Sequence, residues 1–464
     1  MDIIVLGIAA NIAEIIAGIA ILIAALKAWP LFTRIEGLAK TRKPVDISAD
    51  LERLRIAIHQ HFGHKPSPLT PQGLLGDVLS SLGGKVYDLH FEYFASERDL
   101  PGRISYTKNE GDVITRPELV TVSHEGYHQL MGVLREFASD NGYPDNDTAY
   151  LEFEKLRLIL NFATSITGPV ATLRVTPRLV LTVDQLGMVD GPLFKSLLPM
   201  ITQAKPGVIV VAGANGSGKS TTASALLEYA TRQRNYKVAS AEFPIEFVRS
   251  DGVTQFSCDH ESDFDAAYRS ALSQNPDILF LGAPEPGPYL WDAYTRHKLV
   301  LGVASTYDAA AAVEMLCRQG RTSIKSIDAP FIVIGQTLAG ILCKKCRQSY
   351  ELTVADRANI KQIFAENDAA TDPVKTAEKY SVAAGCDACA SGYSGRIAMN
   401  ERLDLTTDML SRTTVAEIRK LAQAGGMSTL QHQALAYASQ GLIDFRFVQQ
   451  LSEALSYEVV WRQD

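Results

Sequence analysis

A chain of 464 residues allows roughly two to four domains, and an apolar share of 46% lets each bury a core. The net charge of −7 excludes a general attraction to nucleic-acid backbone, leaving only a local basic face for such a role. Six cysteines in this length exclude a disulfide scaffold, and four of them form two C-x-x-C pairs, which suits a metal in a reducing compartment.

The chain opens on an almost unbroken apolar run over residues 3–26. As a helix it spans roughly 36 Å, enough for the hydrocarbon core of a bilayer. Asn11 and Glu14 interrupt the run. A central carboxylate costs about 3 kcal/mol on an insertion scale, and the many Ile and Leu residues at about −0.5 kcal/mol each more than offset it. Lys27, Arg34, Lys40, Arg42 and Lys43 follow the run and orient the rest of the chain to the cytoplasm. Met1-Asp2 supplies no basic n-region, which disfavours a cleaved signal peptide; a buried helix is the other alternative. The expectation is a transmembrane anchor over 1–28, with Glu14 facing a partner helix in preference to lipid.

Residues 29–73 read as a basic juxtamembrane segment, a short helix over 47–62 and a proline-rich linker, His64-Lys-Pro-Ser-Pro-Leu-Thr-Pro71. His59, His61 and His64 fit no standard ligand spacing and read as a solvated helix end. Residues 74–185 read as a smaller mixed α/β domain. Period-two alternation predicts a strand over 86–92, with further strands over 118–122 and 170–175 and a helix over 126–138.

Residues 186–464 form the largest unit. A helix precedes a strongly apolar strand over 208–211, and strands over 237–241, 278–281 and 299–303 then alternate with helices. That alternation predicts a mostly parallel sheet with helices on both faces.

Between the strand at 208–211 and a helical run over 221–230 lies Gly213-Ala-Asn-Gly-Ser-Gly-Lys219-Ser220, a complete G-x-x-x-x-G-K-S loop in the strand–helix context it requires. Gly216 and Gly218 let backbone N–H groups turn inward on a β-phosphate, and the helix N-terminus adds its dipole. Lys219 reaches the β- and γ-phosphates, and the Ser220 hydroxyl ligates Mg²⁺. The candidate Mg-ATP site is therefore Gly213, Asn215, Gly216, Ser217, Gly218, Lys219, Ser220 and Thr221.

Further on, Cys343-Lys-Lys-Cys346 and Cys386-Asp-Ala-Cys389 offer four thiolates. Their spacing suits a closed tetrahedral Zn²⁺ site of structural role; a disulfide pair or free thiols are the alternatives. This insertion, 343–389, includes a helical pattern over 355–367. Cys258 and Cys317 stand alone and read as packed apolar residues.

From 74 to 460 these motifs resemble the GspE/PilB family of type II secretion and type IV pilus assembly ATPases. Leu181-Thr-Val-Asp-Gln-Leu-Gly187 resembles the entry into that family's motor domain. Glu242-Phe-Pro-Ile-Glu246 resembles its Asp box, and Asn275-Pro-Asp-Ile-Leu-Phe-Leu-Gly282 its Walker B strand. The two cysteine pairs resemble its metal-binding insertion, and Gly392-Tyr-Ser-Gly-Arg396 with Gly425-Gly-Met its C-terminal end. The resemblance implies an α/β P-loop (RecA-like) motor domain after the smaller domain and membrane helix. It also implies a homo-hexamer, with ATP between the middle domain of one subunit and the motor domain of the next. Arg174 matches a middle-domain arginine and joins the candidate nucleotide contacts. Implied partners are an inner-membrane platform protein and other pilus or secretion components. The implied location is the bacterial inner membrane with cytoplasmic catalytic domains, without direct contact to nucleic acid.

The departures bear on chemistry. Ala283 stands at the position of the family's water-activating glutamate, and Pro284-Glu-Pro286 replaces the following Ile-Arg-Asp. In Leu301-Gly-Val-Ala-Ser-Thr-Tyr-Asp308, Ser305 stands at the histidine of the His box. Phe243 replaces the Asp-box aspartate. Arg269 keeps one arginine before Walker B, Ser273 replaces a second, and Arg103-Ile-Ser-Tyr106 lacks basic alternation. Loss of a group that orients water commonly slows hydrolysis about 10²–10⁴-fold. Glu242, expected at the end of the strand neighbouring the loop's strand, is the candidate replacement base, and Glu285 is another; both also read as surface or capping carboxylates. Three functions stay open: an assembly motor, a non-hydrolysing subunit that uses ATP for shape, and a competence or DNA-transfer motor.

Overall fold

A computed structural model describes residues 86–460 apart from short internal stretches, the longest being 366–379. The expected membrane anchor, the expected juxtamembrane helix and linker, and His59, His61 and His64 lie outside the described residues. Among the described residues no helix is long and apolar enough to cross a membrane.

The first unit is built on alternation. In β1 (Val86–Tyr93) Leu89 and Phe91 point into the core, and Asp88 and His90, which alternate with them, point away from it. β2 (Gly102–Glu110), β3 (Val113–Thr115), β4 (Glu118–Val122), β5 (Thr148–Phe153), β6 (Leu156–Ser165) and β7 (Gly168–Pro177) complete a seven-stranded sheet. Its order is β3-β2-β1-β7-β6-β5, with β4 also on β2, and every pairing is antiparallel. Helix α1 (His124–Asp140) places Tyr127, Leu130, Met131, Leu134 and Ala138 on one face, at the spacing of a helical stripe, and buries them against the sheet. The strands expected over 86–92, 118–122 and 170–175 and the helix over 126–138 are all present. β2, β3, β5 and β6 lie outside the expected strands.

The second unit begins with α2 (Pro192–Thr202) and β8 (Gly207–Gly213), then α3 (Lys219–Gln233), β9 (Val238–Glu242) and β10 (Val253–Ser257). It continues with α4 (Phe264–Ser273), β11 (Ile278–Gly282), α5 (Gly287–Thr295), β12 (Leu299–Ser305), α6 (Ala309–Gly320) and β13 (Phe331–Leu342). The strand order is β10-β9-β11-β12-β8-β13-β16. Only the last pair, β13 with β16 (Tyr393–Asp404), is antiparallel. Every residue of β8 is buried, as a central strand covered on both faces requires. Val208, Val210 and Ala212 enter one core, and Ile209 and Val211 the core on the opposite face.

Between β13 and β16 the chain makes a small sheet of β14 (Gln348–Tyr350) and β15 (Tyr380–Val382), with α7 (Val354–Ala365) beside it. α8 (Val415–Ala424), α9 (Leu430–Ser439) and α10 (Phe445–Val460) follow. Ile363, Tyr380, Leu435 and Phe445 share one core, which fastens this insertion to the C-terminal helices.

Candidate nucleotide and metal sites

β8 ends at Gly213 and α3 begins at Lys219, so the loop between them sits at the carboxyl end of a central strand and at a helix N-terminus. Gly216 and Gly218 have φ of +82° and +81°, a region that strains any residue with a Cβ. A Cβ on Gly213 would strike Ser217 Oγ and the Gln336 carbonyl. The turn is closed by Ser217 N donating to the Ala214 carbonyl at 3.1 Å and by Gln336 Nε2 donating to the Ser217 carbonyl at 2.7 Å. Asn215 and Gly216 are exposed, and Gly218, Lys219, Ser220 and Thr221 are half-buried. The loop's shape is therefore that of an anion cradle made of backbone N–H groups.

Lys219 donates from Nζ to the Ala214 carbonyl at 3.4 Å. Burial lowers its pKa, the Glu246 carboxylate counters that, and the Arg174 charge adds to the lowering. Arg174 comes from β7 of the first unit. Its Nε donates to Asp88 Oδ1 at 3.1 Å, and a second nitrogen lies 3.7 Å from Glu246 Oε1. The first unit thus brings one cation to the loop within the same chain, and Arg157 adds a second grip through Nε to the Ile245 carbonyl at 3.2 Å.

The candidate base is placed differently from expectation. β9 does not neighbour β8: β11 and β12 lie between them. Local alternation predicts that a strand exists, but its place in a parallel sheet is set by long crossovers. Glu242 is buried and forms an ion pair with Arg249, whose side chain is fully buried, and it also accepts from Gln255 Nε2 at 3.0 Å. The Arg249 guanidinium lies 4.4 Å from the Phe280 ring centre and donates to Ser224 Oγ at 3.1 Å. Ala283 is buried just past β11, Glu285 is exposed, and Ser305 is exposed at the end of β12, paired in register with Gly213.

Sequence reasoning did not single out Glu246 or Gln336. Glu246 lies in a motif already quoted, and its second carboxylate was the available signal. Gln336 carried none, because its contact to the loop spans 119 positions. It is buried on β13 with Oε1 unpartnered, as is Ser217 Oγ. Beyond Ser305, Asp308 caps α6 by accepting from Ala311 N at 2.7 Å and pairs with Arg419. Buried Glu401 accepts from Ala309 N at 2.7 Å and Leu430 N at 2.9 Å. Burial, followed by the Asp308 charge, pushes Glu401 up to about 7.

The sulfur atoms of Cys343, Cys346, Cys386 and Cys389 all lie within 4.8 Å of one another. Cys346 to Cys389 is 3.6 Å and Cys386 to Cys389 is 3.5 Å, with no disulfide among them. A tetrahedral ion bound at ~2.3 Å needs sulfurs ~3.8 Å apart, so the four thiols fit a closed metal site. The Lys345 backbone N–H pulls the Cys343 thiol down to about 7, and burial pushes Cys346 up to about 12. Ser220, the other candidate metal ligand, stands in the first turn of α3.

A family model described as type II/IV secretion system protein matches residues 87–452. The type IV pilus assembly ATPase PilB of Acinetobacter baylyi is 25% identical over 389 residues, covering 81% of this chain and 65% of that protein. A putative type II secretion system protein E of Escherichia coli is 30% identical over 252 residues, covering 53% of this chain and 48% of that protein. The chain thus spans about half to two thirds of the length of these relatives. The X-ray structure of the ATPase DotB of Legionella pneumophila superimposes with a TM-score of 0.52 at 15% identity, over 85% of this chain and 98% of that one, a likeness of fold.

Proposed function

The chain belongs to the type II/IV secretion system protein family, and from that premise we propose that it is an ATP-binding subunit of a type IV pilus or type II secretion assembly machine. One observation carries the reading: the Gly213–Ser220 loop is folded as an open backbone cradle between a buried central strand and a helix N-terminus. Backbone N–H groups of 216–220 hold phosphate oxygens, Lys219 neutralises them, and the Ser220 hydroxyl faces the accompanying Mg²⁺. Bound Mg-ATP adds negative charge beside Lys219 and Arg174, which the Glu246 carboxylate already faces. Arg174 then has three anionic partners, Asp88, Glu246 and the nucleotide, so occupancy of the loop bears on the contact between the two units.

The proposal extends to zinc on the four cysteines as a staple of the insertion, to a homo-hexamer, and to anchoring at the bacterial inner membrane through the N-terminal run, beside the machine's platform protein. A second reading, a subunit that binds ATP without turning it over, is favoured by Ala283 and by the commitment of Glu242 to Arg249. The deciding experiment measures ATP binding and steady-state hydrolysis on the full chain in detergent, with Lys219→Ala as control. Binding with turnover well above the control supports a motor. Binding with turnover at the control level assigns the nucleotide to shape, and absence of binding removes the ATP-subunit reading altogether.

A further inference from the structure

The outer face of the first unit carries a feature that the nucleotide site does not use. Helix α1 begins His124-Glu-Gly-Tyr-His128, two histidines four positions apart. That spacing puts both imidazoles on one helical face, the arrangement by which helices chelate borderline divalent cations. Here the two rings do meet: their centres are 4.4 Å apart, with planes inclined at 60°, and both residues are exposed. An ion bound at ~2.1 Å from a ring nitrogen lies ~3.2 Å from each ring centre, so a 4.4 Å separation corresponds to an angle of about 90° at the metal. That is the angle between neighbouring ligands of an octahedral or square ion.

A second observation concerns the outer shell. The Tyr93 hydroxyl, at the end of β1, lies 2.6 Å from His124 Nδ1. The Tyr93 ring packs against both imidazoles, at 5.7 and 5.8 Å between centres. With Nδ1–H donated to the phenol oxygen, the Nε2 lone pair of His124 is left for a metal, and the ring is held in one orientation. The pairing comes from two elements distant in sequence and does not follow from the helix alone.

We propose that His124 and His128 form a second metal site, for a borderline divalent cation of the nickel class, with Tyr93 as its orienting outer-shell group. Among the described residues the cysteines are the one cluster of three or more metal-ligating side chains. The imidazole pair therefore gives two ligands and leaves the other coordination positions to water or to a donor from another molecule. The site is a binding site and not a peptidase centre, which takes three protein ligands.

The test titrates nickel(II) into the full chain and into His124→Ala, His128→Ala, Tyr93→Phe and Cys386→Ser/Cys389→Ser variants, followed by calorimetry. Each histidine variant is expected to bind one equivalent fewer than the parent, and the cysteine variant to keep that equivalent. Tyr93→Phe keeps the stoichiometry and lowers the affinity about tenfold. The histidines are exposed, so the variants fold, and unchanged circular dichroism checks this. Equal stoichiometry in parent and both histidine variants overturns the site. Unchanged affinity in Tyr93→Phe overturns the outer-shell role.

Discussion

Replacing Arg249 by Met separates a structural from a catalytic Glu242. The Arg249 side chain is fully buried and that of Glu242 is 5% exposed, so the pair exchanges little of its charge with water. Removing one partner of such a pair costs about 3–5 kcal/mol, because the remaining charge is stranded. Gln255 still donates to Glu242 and offsets part of this, which places the expected loss near ~3 kcal/mol. For a domain of this size each kcal/mol lowers the melting temperature by roughly 2–4 °C, so the variant melts roughly 6–12 °C below the parent. Glu242→Gln/Arg249→Met carries no stranded charge and is expected to recover at least half of the loss, a coupling measurable in a double-mutant cycle. Thermal unfolding followed by circular dichroism gives all four corners, and ATP turnover is measured on the same samples. The reasoning fails if Arg249→Met alone melts within about 1 °C of the parent. It fails equally if Glu242→Gln keeps the parent's stability and loses all turnover, since Glu242 is then the base and not one half of a buried pair.

Gln336→Met removes the donor to the Ser217 carbonyl and also the unpartnered Oε1. Affinity for ATP and ADP is expected to fall about tenfold with no drop in melting temperature, read with a fluorescent nucleotide; unchanged affinity means the side chain does not shape the loop. Glu401 has a folded pKa of about 7, above its ordinary value, so the stability it contributes is complete below pH ~4.3 and is lost as pH rises through 7. Urea midpoints between pH 5 and 8 should fall more steeply for the parent than for Glu401→Gln, and parallel declines would contradict the assignment. Cys386→Ser is expected to lose the zinc in elemental analysis and to loosen the core around Tyr380 and Phe445, while leaving nucleotide affinity within twofold or so, because β8 and α3 share no core with the insertion. Loss of nucleotide binding in that variant would mean the insertion supports the loop.

The sequence alone determined the phosphate cradle, the strands over 86–92 and 208–211, the helix over 126–138 and the pairing of the cysteines. Each rests on a short-range cause: glycine's access to positive φ at 216 and 218, period-two or 3.6-residue alternation, or a C-x-x-C turn. Tertiary structure decided the rest. It set two strands between β9 and β8, closed Glu242 onto Arg249, ran Gln336 under the loop and brought Tyr93 to His124. These contacts join residues whose separation along the chain carries no local signal. Strand order in a parallel sheet is fixed by which helices cover which face, and a buried charge takes the partner that the packed core leaves within reach. A carboxylate in a recognisable motif can therefore be read from sequence, whereas whether it meets water or an arginine is settled only by the fold.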